Sequence, residues 1–227
     1  MTRFALSFIA ASLLTGTAFA ADLQVYEPVD MSDPVAAGNF YASIFGGVSM
    51  INDFDFVSTA GGGIDGTMEF ENGYSIDAAL GYDFGNGLSI EGQVGYLNAG
   101  LIGGTFDVIP YDAEGSASMT YAMVNAWYGF DLGGVTPFIG GGVGLASATL
   151  DSEFSAPFET ASFTDTSYAL AAQVGAGISL AVTEDISLTG RYRYLATGDF
   201  TMTDGDNDDI TGSASASILD IGLKVAF

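Results

Sequence analysis

Two residue types that would narrow the chemistry of this chain are absent: it has no cysteine and no histidine. Without cysteine no disulfide framework supports the fold. Without histidine, Ser-His-Asp triads, imidazole general bases and histidine metal sites are excluded. Basic residues are scarce, with Lys and Arg numbering 4 against 28 Asp and Glu, a net charge of −24 at pH 7. Nucleic-acid binding, which needs a positive footprint, does not fit that balance. Beyond the N-terminus there is no run near the roughly 18 apolar residues of a membrane helix, although 48% of the residues are hydrophobic. High hydrophobicity scattered over short runs leaves a soluble β-sandwich or a membrane β-barrel.

The N-terminus addresses the compartment. Arg3, the mostly apolar Phe4 to Leu14 and the small-x-small Ala18-Phe19-Ala20 read as a secretory signal peptide over 1–20. As a membrane anchor the run is too short, and Thr15 to Thr17 interrupts it. Residues 21–38, with Pro28 and Pro34, read as a flexible periplasmic leader. Residues 39–227 are expected to form one domain.

Period-two alternation runs through that domain. Tyr74, Ile76, Ala78, Leu80, Tyr82 and Phe84 share one face, opposite Ser75, Asp77, Ala79, Gly81 and Asp83. Gly85-Asn86-Gly87 then offers a tight turn, and Leu88, Ile90, Val94 and Tyr96 resume the apolar face. The same rule predicts eight strands, near 39–50, 74–84, 88–97, 118–130, 136–148, 166–182, 186–195 and 214–227. In 118–130 we place Asn125 inside. The connections alternate between short (85–87, 131–135, 183–185) and long (51–72, 98–117, 149–165, 196–213). A sandwich has no reason to put every long connection at one end. An outer-membrane barrel is built that way. Tyr74, Tyr96, Tyr168 and Tyr194 gather at the long-loop end of the apolar face. Phe40, Tyr82, Phe84, Tyr128, Phe130 and Phe227 gather at the short-turn end. The expected fold is therefore all-β, an eight-stranded antiparallel up-and-down transmembrane β-barrel.

With these stretches in hand, the chain resembles the small eight-stranded outer-membrane barrel proteins of Gram-negative bacteria, the outer membrane protein A barrel domain and the opacity-type surface proteins. The resemblance rests on Gly38 to Gly47, Leu88 to Tyr96, Thr136 to Leu145 and the terminal Leu223-Lys-Val-Ala-Phe227. It implies an outer-membrane location with both termini periplasmic and the long loops extracellular. Its partners would be membrane lipid, lipopolysaccharide and, during insertion, the barrel-assembly machinery. Leu223, Val225 and Phe227 would form the assembly signal. The resemblance narrows function less: members are structural anchors, adhesins, surface antigens or minor pores.

Three features could carry chemistry. Gly140 to Gly144 lacks the strand-glycine-helix context of a dinucleotide loop and fits the inner face of a narrow barrel better. Asp204, Asp206 and Asp208 place carboxylates at alternate positions, a candidate divalent-cation site. It lacks the glycine and glutamate of an EF-hand, and a solvated acidic loop is the simpler reading. The long connections are acidic throughout, which serves solubility.

The third feature lies on the inner face. Every basic residue after the signal, Arg191, Arg193 and Lys224, takes an inward position, as do Asp77, Asp83, Glu91 and Asp220. An eight-stranded lumen is just wide enough for side chains to fill. The expectation is a lumen charge cluster of Asp77, Glu91, Arg191, Arg193, Asp220 and Lys224, with an arginine reaching Glu91 and with Asp220 beside Lys224. The function expected is a structural, monomeric, non-enzymatic barrel without a cofactor. The alternatives are a porin-like small-solute pore and a loop-mediated adhesin or surface antigen.

One expectation can be tested in cells. If Phe227 is an assembly signal, deleting it lowers the amount inserted in the outer membrane yet leaves refolding in detergent nearly normal. Normal outer-membrane levels of the deletion would overturn that role.

Overall fold

The computed structural model describes residues 38–52, 54–58, 64–106, 109–156, 159–203 and 209–227. The expected signal segment, the expected leader up to residue 37, and Asp204, Asp206 and Asp208 lie outside them. The strands are β1 Asn39–Ile51, β2 Phe54–Ser58, β3 Ile64–Phe70, β4 Asn72–Asp83, β5 Leu88–Phe106, β6 Ile109–Gly129, β7 Val135–Ala156, β8 Glu159–Ala181, β9 Ile186–Thr203 and β10 Asp209–Ala226. All neighbours are antiparallel. β1, β4, β5, β6, β7, β8, β9 and β10 follow one another around a ring, which β1 and β10 close from Tyr41↔Ala226 to Ile51↔Ala216. Farther from the turns, the β2–β3 hairpin takes over from β1 and β4, pairing β10 on one side and β5 on the other. The hairpin thus continues the wall between β10 and β5 beyond the ends of β1 and β4, while β8 and β9 pair only as far as Ala171↔Thr197.

The short turns follow from their residues. Gly85, Gly87, Gly133 and Gly134 have φ of 74°, 90°, 81° and 94°, which side chains rarely adopt. Side-chain oxygens cap the free amides: Gly85 N–H donates to Asp83 Oδ1 at 2.8 Å, Gly133 N–H to Asp131 Oδ1 at 2.9 Å, and Ile186 N–H to Thr183 Oγ1 at 3.0 Å.

The facing is uniform. Leu80, Val124, Val143, Val174 and Ile221 are among the outward apolar side chains and are more than half exposed. At the turn end Phe227, Phe40, Tyr82 and Phe84 form a continuous aromatic run, with centroid separations of 6.5, 4.9 and 5.1 Å. Tyr74 and Tyr96 lie 6.2 Å apart in the opposite belt.

The strands are longer than the alternation predicted. Most of the residues assigned to four long loops are strand: β5 runs to Phe106, β6 begins at Ile109, β7 runs to Ala156, and β8 begins at Glu159. Strand β5 shows why. Its inward positions read Ser89, Glu91, Gln93, Gly95, then Leu97, Ala99 and Leu101, all of them buried. Its outward positions read Leu88, Ile90, Gly92, Val94, Tyr96, then Asn98 and Gly100. The phase never changes, but the chemistry inverts just past the tyrosine belt. Below the belt the wall is polar inside and apolar outside. Above it Leu97, Leu101, Phe56, Met68 and Phe200 fill the interior, while Asp55, Glu69 and Asp199 are exposed. A bulge between Ser213 and Ser215 lets β9 keep Phe200 inward, with Thr197 Oγ1 donating to Ala214 O and accepting from Ala214 N–H.

The facing yields a stability test. Leu80 and Val174 are 67% and 63% exposed on the apolar band. Leu80→Arg or Val174→Arg should each lower stability in lipid by roughly 2–4 kcal/mol. Glu69→Ser, above the belt, should change it by about 0.5 kcal/mol or less. Equal urea midpoints for all three would overturn the assignment.

Candidate functional site

The inner wall below the belt collects polar side chains from seven strands. Tyr41 and Phe45 come from β1, Ser75 and Asp77 from β4, and Glu91 and Gln93 from β5. Tyr121 and Asn125 come from β6, Gln173 from β8, Arg191 and Arg193 from β9, and Asp220 from β10. Each of them is buried. Strand β7 contributes glycines instead, and these make room. A Cβ at Gly142 would strike the Asn125 side chain, and one at Gly175 of β8 would come within 3.0 Å of Arg193 Cγ.

Arg193 is the hub and has no exposed surface. Its Nη2 donates to Asp77 Oδ2 at 2.7 Å and its Nε to Asp220 Oδ2 at 2.8 Å. Its Nη1 donates to Gln173 Oε1 at 3.0 Å and to the Tyr121 hydroxyl at 3.2 Å. The Tyr121 hydroxyl in turn donates a hydrogen bond to Asp77 Oδ1. The amides complete the web: Gln173 Nε2 donates to Asn125 Oδ1 at 2.6 Å and to Gln93 Oε1 at 2.8 Å, and Gln93 Nε2 donates to Asp77 at 2.8 Å. Ser75 donates to Asp220 Oδ1 at 2.9 Å. Two buried carboxylates and a guanidinium are thereby hydrogen-bonded at several atoms each, the condition under which buried charge is tolerated.

Arg191 is held differently. Its Nε donates to Asp220 Oδ2 at 3.0 Å, and its guanidinium carbon sits 3.6 Å from the Phe45 ring centroid. It approaches Asp77 at 3.6 Å and Glu91 at 3.9 Å without a hydrogen bond to either. Glu91 instead accepts from Tyr41 OH at 3.0 Å and Asn125 Nδ2 at 3.1 Å. The centre of the cluster therefore lies on Asp77 and Asp220 with Arg193, not on Glu91. Lys224 also departs from the expected pairing with Asp220. Its ammonium lies 3.8 Å from Asp83 and 3.8 Å from the Tyr41 ring centroid. Asp220 is four rungs farther from the turn end and already occupied by both arginines.

Tyr121, Gln93, Gln173, Ser75 and Tyr41 were not singled out from the sequence. Gln93 and Ser75 carried a signal, being polar at inward positions. Tyr121 and Tyr41 did not, because tyrosine also builds the outward belts. Leu223, Val225 and Phe227 face outward and are 47%, 41% and 74% exposed.

Two regions flank this layer. Toward the turns lies a cavity of about 380 Å³, lined among others by Tyr41, Ser43, Glu91, Trp127, Arg191 and Lys224. On the other side Leu97, Met119, Met123, Leu195, Phe200 and Ile218 pack as an apolar cluster.

The unequal bonding of the carboxylates makes a ranking. Asp77→Ala strips Arg193 of a direct partner and should cost about 3–5 kcal/mol. Glu91→Ala, beside the cavity, should cost clearly less. Urea titration in lipid would check this, and the reverse order would place the hub elsewhere.

This architecture agrees with known proteins. By structure the chain is similar to Neisserial surface protein A (TM-score 0.55, 20% identity, covering 83% of this chain and 97% of that one). It is similar to OprG from Pseudomonas aeruginosa (TM-score 0.55, 14% identity, 83% and 96%) and to the outer membrane protease OmpT from Escherichia coli (TM-score 0.52, 11% identity, 83% and 97%). At these identities the likeness shows the fold alone. No curated protein sequence matches the chain. The sequence profile of the outer membrane protein beta-barrel domain matches residues 6–227. A closed barrel with an apolar outer band between two aromatic belts is what that family requires, and this chain is a member of it, a protein of the bacterial outer membrane.

Proposed function

We propose that this protein is a structural outer-membrane barrel whose lumen is closed to solutes and whose far end projects an acidic collar from the cell. In this reading the short turns, Gly38 and Phe227 face the periplasm, after removal of residues 1–20. The observation that carries it is the stacking of two different seals in one lumen. The Arg193 layer ties β4, β8, β9 and β10 together across the lumen with ions and amides. Beyond it the cluster around Leu97, Phe200 and Ile218 offers a solute no polar partner. A hydrated ion would have to break the first and enter the second.

The inversion of polarity supports the collar. A strand leaving the membrane into water buries apolar residues inward and exposes polar ones, as a soluble barrel does. A non-enzymatic role is supported by the absence of histidine and cysteine. The cavity at the turn end favours a second reading, a minor pore, since it already opens part of the lumen.

Planar-bilayer recording of the refolded protein separates the two. A closed barrel gives no steady unitary conductance, and replacing Arg193 and Phe200 by Ala together should raise it. A large, stable conductance in the parent would overturn the structural reading.

A further inference from the structure

The buried ions of the lumen do not balance. Asp77, Glu91 and Asp220 are 2%, 4% and 3% exposed, and Arg191 and Arg193 are 3% and 0% exposed. Lys224 and Asp83 pair with each other nearer the mouth, at 3.8 Å, with side chains 29% and 41% exposed, and so cancel. Three buried carboxylates thus face two guanidiniums. Charge in a low-dielectric interior must be compensated.

The excess falls on Glu91. Asp220 takes hydrogen bonds from both arginines, and Asp77 takes one from Arg193. Glu91 has only neutral donors, Tyr41 and Asn125, and its nearest cationic atom is Arg191 Nη1 at 3.9 Å. Its hydrogen bonds come from neutral groups, and the cations near it are shared: Arg191 also faces Asp77 and Asp220, and Lys224 also pairs with Asp83. It borders the cavity of about 380 Å³ at the turn end.

We propose that this vestibule binds one small monovalent cation against Glu91. A second observation points the same way. Ser43 Oγ is buried, lines the same cavity and has no hydrogen-bond partner. A hydroxyl oxygen with free lone pairs suits a cation. The wall also tolerates positive charge, since Lys224 already rests over the Tyr41 ring. At the mouth, Asp131, Glu184 and Asp185 line the cavity, and they concentrate cations from solution. One excess charge calls for one monovalent ion. A divalent ion would overcompensate and prefers several carboxylate oxygens, whereas Asp77 and Asp220 are committed to the arginines. The inference needs only the vestibule and holds whether or not the lumen conducts.

The test uses the full chain refolded in phospholipid vesicles. The urea midpoint is followed at constant ionic strength as sodium, potassium or ethylammonium replaces the much larger N-methylglucamine. Binding to the folded state alone raises stability with the logarithm of free cation. The parent midpoint should therefore rise with each tenfold increase in the small cation, and the ethylammonium arm separates an organic amine from an alkali ion. Glu91→Gln should abolish the rise, since the Tyr41 hydroxyl can turn to accept from the new amide. Ser43→Ala should weaken it, and Glu184→Gln should keep it. If Glu91→Gln does not fold, sodium-23 line broadening in parent vesicles, displaced by potassium and reduced in Ser43→Ala, supports the site. A parent midpoint indifferent to small cations, a rise retained in Glu91→Gln, or an equal loss in Glu184→Gln would overturn it. So would a midpoint that answers to acidification but not to the cation, which would place a proton on Glu91.

Discussion

A strand wall in hydrocarbon has no water to satisfy its backbone, and every amide and carbonyl must find a partner within the sheet. In this chain that constraint is met by pairing β1 with β10 over eleven rungs, from Tyr41↔Ala226 to Ile51↔Ala216. Closing a ring of eight strands fixes the bore, and the bore fixes what the inner face can be. Side chains from opposite walls must meet, so charge placed on that face is buried whether or not it is useful. The Arg193 layer is the consequence. Asp77 on β4 and Arg193 on β9 lie 116 residues apart in sequence and 2.7 Å apart in space because the wall is closed.

Such a layer is costly to desolvate, and its retention needs a reason. Buried ion pairs are often no more stabilising than apolar packing of equal volume, but a half-broken pair is severely destabilising. Arg193 reaches four residues on four different strands, β4, β6, β8 and β10. A one-residue slip of any of them would turn its polar partner outward into lipid. The network thereby penalises misregister around much of the circumference. Glycines at 140, 142, 144, 175 and 177 are the complement of this arrangement, since wall positions without Cβ give the long side chains their volume.

The same strands serve two solvents. Below the tyrosine belt the outer face meets lipid; above it the outer face meets water, and the interior becomes the apolar side. In β5 the alternation of facing runs through the boundary unchanged, so the inversion there resides in side chains, whereas β9 resets its phase at the bulge opposite Ser213 and Ser215. This extends the barrel well beyond the apolar band and gives the acidic residues Asp55, Glu69 and Asp199 an ordered wall to stand on.

The alternation by itself determined which face of each membrane-crossing strand meets lipid, the two aromatic belts, the three short turns and the inward placement of Asp77, Glu91, Arg191, Arg193 and Asp220. These are local consequences of a period of two and of where apolar side chains lower the free energy. The true strand lengths were not legible, because Leu97-Asn-Ala-Gly-Leu101 keeps its phase while exchanging the meaning of inside and outside, and a pattern of composition cannot tell inversion from a loop. Partner choice was not legible either. Register across the ring set Arg193, and not Arg191, between Asp77 and Asp220, and set Lys224 beside Asp83. Only closure of the tertiary structure brought Tyr121 and Gln173 into that layer, because the distance across a barrel depends on shear and strand number, which no single strand encodes.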